Sequence, residues 1–212
     1  MFVQIAPTFF DPSPDRVGPR FVGLAAVFYS VLFLAAVFLS ALRDRDIFVL
    51  GGSVFLDLSV GGAIACGTVT LGVFLYRLLP AVQKLSNELA PRLVDGAGKG
   101  DLVLIAAFSG VGEEAFFRGA LQPELGIVAT SVLFGALHVG PDRRYLLWTL
   151  WAVGAGFLFG FLYERTGGLL APATAHVLHN AAMLLLWKRS RRKRFRTLEG
   201  APREGTAARK EG

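Results

Sequence analysis

Apolar runs of bilayer length recur along this chain, and one of them is broken by three ionisable groups. The run 102–121 is 20 residues long, about one crossing of a hydrocarbon core. Inside it stands Gly112-Glu113-Glu114-Ala115-Phe116-Phe117-Arg118-Gly119. A charged group at the centre of an inserting helix costs about 2.5–3.5 kcal/mol. A fold tolerates that cost where the groups face protein or a wet cavity, and there they usually have a task. Glu114 and Arg118 are four apart, so a helix sets them on one face as a pair. Glu113 is left as the carboxylate without a local counter-ion.

The rest of the chain has the same character. Of its 212 residues 53% are hydrophobic and 18% charged, against about 25% charged in soluble domains. Further apolar runs cover 21–42, 54–79, 125–138, 145–163 and 169–187. They are separated by Arg43-Asp44-Arg45-Asp46, by Pro123, by Gly140-Pro141 and by Gly167-Gly168. This pattern predicts an all-α, polytopic transmembrane bundle of about six membrane helices. Pro123 is expected to close the third of them. Between the second and third runs, Val82, Leu85 and Leu89 share one helical face, which predicts a short helix on the membrane surface. Residues 1–20 carry four prolines and read as an N-terminal segment, 21–187 as the membrane domain, and 188–212 as a basic, disordered cytoplasmic tail.

The net charge of +6 raises the question of nucleic acid, and its distribution answers it. Ten of the 22 Lys and Arg follow position 187, directly after an apolar run, where basic residues set topology and meet anionic lipid. With six crossings, 18 of the 22 fall on the side of the termini and three on the other, with Arg118 between them. That bias places both termini in the cytoplasm, with the lipid bilayer rather than nucleic acid as the surrounding partner. Cys66 is the only cysteine, so no internal disulfide and no cysteine metal cluster can form.

The three histidines, His138, His176 and His179, all lie in apolar runs after the Glu pair. His176 and Asn180 are four apart and share a face. Counting about 1.5 Å per residue from the nearest turns, Glu113, His138, His176 and Asn180 all reach about 12–20 Å into the membrane. They can share one layer if the fourth helix stops short and the Gly140-Pro141 loop dips inward beside Asp142, Arg143 and Arg144. A carboxylate without a fixed counter-ion in such a pocket is a competent base, and a histidine beside it can help deprotonate a water. A second His and an Asn can donate to a developing oxyanion. Together these groups suit water-mediated hydrolysis of an amide. Ser109, in Phe-Ser-Gly-Val-Gly, does not form a nucleophile elbow.

Glu113-Glu114-x-x-x-Arg118, Phe134-x-x-x-His138 and His176-x-x-x-Asn180, in this order, resemble the CPBP intramembrane protease family, which includes type II CAAX prenyl endopeptidases. The resemblance spans about 102–187. It implies an intramembrane endopeptidase in which Glu113 and His138 activate the water while His176 and Asn180 form the oxyanion site. It implies that Glu114 and Arg118 support the site; Phe134 reads as a wall. His179 lies outside the family pattern. The substrate it implies is a membrane-associated peptide or protein, and the location is a bacterial inner membrane.

The family has been described both as glutamate-type and as metal-dependent. The Glu-bearing run lacks a His-Glu-x-x-His zinc pattern, so no cofactor is expected, although Glu113, His138 and His176 have the donor types for zinc. Two other readings fit the same buried polar groups. One is a non-catalytic immunity or interaction protein. The other is a proton-coupled transporter, since intramembrane Glu and His also build proton relays.

Overall fold

The computed structural model describes residues 19–140 and 142–199, and among these no strand occurs. The helices are α1 (Pro19–Ala41), α2 (Val54–Leu78), α3 (Pro80–Val94), α4 (Lys99–Glu114), a π-helical segment (Ala115–Leu121), α5 (Gln122–Ala136), a 3-10 turn (Arg143–Tyr145), α6 (Leu146–Thr166) and α7 (Leu170–Glu199). Among the described residues three stretches are long and apolar enough to cross a membrane: Phe21–Ala41, Val54–Leu78 and Arg143–Thr166. Their outward faces expose Val27, Leu34, Phe38, Phe55, Phe74 and Leu150. Such faces are stable against acyl chains, and this is a membrane protein. The N-terminal segment before Pro19 lies outside the described residues.

Two boundaries differ from the sequence reading. Pro123 does not close the third helix. The π-helical segment precedes it, with Gln122 N–H bonded five residues back to Phe117 O. A proline at such a junction removes a donor where the bonding register is already changing. The chain turns instead at Gly126, whose φ of 75° suits glycine.

The second difference is at the C-terminus. The basic run does not begin a disordered tail at 188, because α7 continues to Glu199. Lys and Arg are good helix formers. Lys188 Nζ donates to Ala97 O, and Arg191 pairs with Asp95, which fastens this end to the α3–α4 loop. Residues 200–212 lie outside the described residues.

The expected surface helix is α3. It buries Leu85 and Leu89 against Tyr145, with Trp148 and Trp187 alongside. Asp142, Arg143 and Arg144 do not line an inward cavity. They are exposed, and Arg144 binds Asp142 and, at 2.8 Å, Glu88 of α3. Its hydrogen-bonded guanidinium holds the Asp142 carboxyl below its ordinary range. At the opposite end, Arg43 and Arg45 both pair with Glu124. There the loop after α1 bonds to the start of α7 through Leu169 N–Val49 O and Leu170 N–Leu50 O.

The centre of the bundle is held by close backbone approach at α4. A Cβ on Gly110 would lie 2.6 Å from Val177 of α7, and one on Gly112 would lie 2.8 Å from Tyr29 O of α1. Between membrane helices, small residues permit such contacts where larger ones cannot. α4 is thereby packed tightly on both α1 and α7, which fixes how Glu113 and Glu114 meet α7.

Candidate active site

Arg118 is the starting point because it is the most costly group to bury. It is 0% exposed, as is Glu114. Its Nη1 donates to Glu114 Oε1 at 3.2 Å, and its Nε lies 3.1 Å from Glu114 Oε2. Its Nη2 donates to Gly156 O of α6 at 3.0 Å. The guanidinium carbon sits 4.7 Å from the ring centre of Phe134 and 5.8 Å from that of Phe159. The weakly hydrated, planar guanidinium is suited to such a dry aromatic setting. The π-helical segment that carries Arg118 begins directly after Glu114. Single π turns within helices often mark functional positions.

Glu114 also receives α7. His176 Nδ1 lies 2.7 Å from Glu114 Oε1. A carboxylate held by Arg118 accepts only, so Nδ1 carries a proton, and in the neutral ring Nε2 is bare. Phe159 stacks on the imidazole, with ring centres 5.0 Å apart. The bare nitrogen faces Glu113: His176 Nε2 to Glu113 Oε2 is 4.0 Å. Glu113 Oε2 is buried and has no hydrogen-bond partner among the described residues. The pairing expected from helical spacing, Glu114 with Arg118, is present, and it leaves Glu113 as the carboxylate with spare acceptor capacity.

Asn180, one turn beyond His176, points to the same helix. Its Nδ2 donates to Ser109 Oγ at 3.1 Å, and Ser109 Oγ donates to Ala106 O at 3.2 Å. One N–H of the Asn180 amide remains for another acceptor.

His138 is placed differently. Its Nδ1 donates to Phe134 O at 2.7 Å, so its Nε2 is also bare in the neutral ring. Phe134 separates it from His176, with ring centres 4.7 Å from His138 and 6.0 Å from His176. His176, rather than His138, is therefore the histidine in contact with Glu113.

His179 faces away from this group. Its Nδ1 donates to Thr68 Oγ1 at 3.0 Å, and its ring stacks on Trp151.

Zinc can be tested on the donor geometry. Among the described residues no three His, Cys, Asp or Glu side chains group closely enough to hold a metal ion. Glu113, His138 and His176 do not form a ligand set in this arrangement.

Several participants have no signal in the sequence. Tyr29 of α1 approaches Glu113, Gly156 supplies a carbonyl to Arg118, and Ser109 anchors Asn180. A tyrosine inside the first apolar run is the one oddity that could have drawn attention to α1.

Residues 99–182 match the family model described as Type II CAAX prenyl endopeptidase Rce1-like. That match spans α4, the π-helical segment, α5, α6 and the part of α7 that carries His176 and Asn180, and it is consistent with the CPBP family. An uncharacterized protein of Bacillus subtilis, YpbD, is 40% identical over 80 residues, covering 38% of this chain and 40% of that protein. The similarity thus spans less than half of that relative. No solved structure matches.

Proposed function

We propose that this chain is an intramembrane endopeptidase that cuts a peptide bond in a membrane-associated substrate with a water held by Glu113 and His176. The carrying observation is the orphaned, buried Glu113 Oε2 standing 4.0 Å from the bare Nε2 of His176. Two acceptors so close can each take one hydrogen of a single water. The oxygen lone pair of that water then points away from both, toward a scissile carbonyl. On attack, the C–O bond forms as one water proton passes to Glu113, and the carbonyl electrons move onto its oxygen. The free N–H of Asn180 supports that oxyanion. Collapse breaks the C–N bond, and protonated Glu113 returns the proton to the leaving amine.

Glu114 and Arg118 position His176: the carboxylate fixes its tautomer and the guanidinium fixes the carboxylate. His138 serves this chemistry from the rim of the Phe134 wall, and it must turn past that ring to assist Glu113 directly. The mechanism needs no metal. The similarity to prenyl endopeptidases favours a prenylated C-terminal tail among substrates. The concentration of cations at one end of the bundle favours that end, with both termini, as cytoplasmic in a bacterial inner membrane.

The test uses purified protein in lipid nanodiscs with a farnesylated CAAX peptide and its unprenylated twin. Products are read by mass spectrometry. Wild type is expected to cut, and Glu113→Gln is expected to melt like wild type and not cut. Retained cleavage by Glu113→Gln removes Glu113 from the mechanism. If neither peptide is cut, envelope proteomes of cells carrying wild type or Glu113→Gln are compared, and accumulation of an uncut precursor is the expected result.

A further inference from the structure

A pocket of about 730 Å³ lies apart from the residues above, where the start of α4 meets the polar half of α7. Lys99, Lys188, Arg189 and Arg192 form its basic part, and Leu185 and Leu186 its apolar part. Lys188 is engaged by Ala97 O. The neighbouring carboxylates are also engaged: Asp95 by Arg191, and Asp101 by the Gly98 N–H at 2.7 Å. Among the described residues no carboxylate forms an ion pair with Lys99, Arg189 or Arg192. Among the described residues the pocket therefore carries cations that no ion pair engages.

Its position fixes the kind of anion. Trp187 stands between the two parts in sequence, at the step where α7 passes from apolar to basic. Tryptophan favours the headgroup level of a bilayer. A ligand here meets cations on the water side and leucines on the acyl side within one cavity.

We propose that this pocket binds one anionic phospholipid, its phosphate held by Lys99, Arg189 and Arg192 and its upper acyl chain lying on Leu185 and Leu186. Charge complementarity and the graded lining both call for an amphiphile. A water-soluble anion would leave the leucines uncovered, and a zwitterionic lipid would leave the cations unbalanced. The lipid would bridge α4 and α7, the two helices that carry Glu113 and His176. This proposal does not depend on the peptidase reading, since it is read from binding alone.

The test is native mass spectrometry of the full chain released from nanodiscs of phosphatidylcholine with phosphatidylglycerol. Wild type is expected to retain a single phosphatidylglycerol in preference to phosphatidylcholine. Lys99→Gln, Arg189→Gln and Arg192→Gln are expected each to weaken that preference about fivefold, from about 1 kcal/mol per cation near an anionic surface. Arg165→Gln, at the other end of α6, is expected to leave it unchanged. Equal retention of both lipids by wild type overturns the proposal. So does an equal loss in Arg165→Gln, which would mean a diffuse charge effect. Displacement by millimolar glycerol phosphate would mean a site for a soluble anion, and the lipid proposal falls. Displacement by a peptide with a free C-terminal carboxylate, but not by its amide, would mean a peptide site and equally overturns it. The three substituted side chains lie on the surface, and melting of each single variant is recorded alongside so that loss of lipid is scored only on folded protein.

Discussion

His176 donates its Nδ1–H to Glu114 across 2.7 Å, while Glu114 is already committed to Arg118. The outcome is an imidazole with one nitrogen spent on structure and the other turned toward Glu113. Two adjacent carboxylates thereby have different surroundings: Glu114 meets Arg118 and His176, while Glu113 Oε2 has no hydrogen-bond partner among the described residues.

That asymmetry predicts different outcomes for two conservative changes. Glu114→Gln leaves Arg118 charged and unpaired in a dry site, and breaking one side of a buried pair costs about 3–5 kcal/mol. Glu113→Gln breaks no ion pair with Arg118. Thermal unfolding in detergent should show a large fall in Tm for Glu114→Gln and little change for Glu113→Gln. Equal Tm values would mean that the Glu114–Arg118 pair does not hold the bundle.

Asn180 and Ser109 can be separated. Removing one oxyanion donor lowers kcat by about 10²–10³. Asn180→Ala should show a loss of that order at nearly unchanged KM. Ser109→Ala, which removes only the anchor, should cost less than about tenfold, because the Asn180 amide keeps its other N–H. If both variants lose activity equally, Asn180 acts only as a tie between α4 and α7.

The close approach at α4 should be intolerant of added volume. Gly110→Val puts methyl groups where a Cβ alone would already lie 2.6 Å from Val177. Overpacking of this kind costs about 1–3 kcal/mol. The expected result is a lower Tm together with loss of cleavage, since α7 must move away from Glu113. Gly154→Val, at a position with nothing within 4 Å of an added Cβ, is the control and should change neither.

His138 and His176 make different predictions for the same truncation. His176→Ala removes the partner of both Glu113 and Glu114, so both activity and Tm should fall. His138→Ala removes one bond to Phe134 O, four residues back, so Tm should hold within a few degrees while cleavage falls. A His138→Ala enzyme with full activity would leave His138 as packing alone.

The helices, and the Glu114–Arg118 pair, were legible because both depend on local spacing. A 20-residue apolar run and an i, i+4 separation need no knowledge of neighbours. What was not legible depends on contacts between distant segments. The choice of His176 over His138 as the neighbour of Glu113 follows from the Gly110–Val177 approach, which sets the register of α7 on α4. The π-helical segment leaves no mark in composition, and it moved the turn from Pro123 to Gly126. The extension of α7 through the basic run needed Asp95 and Ala97, far away in sequence, to hold it.

The cage around Arg118 bears on how the chain is made. Its helix reaches the insertion machinery carrying Glu113, Glu114 and Arg118, before Gly156 and His176 have been synthesised. Until those later segments emerge, nothing in the nascent chain completes the site, and release into lipid would strand its charges. The segment from α4 through Leu121 is therefore expected to enter lipid only together with its C-terminal companions. A chain stopped after Ala136 should leave that segment protease-accessible rather than embedded.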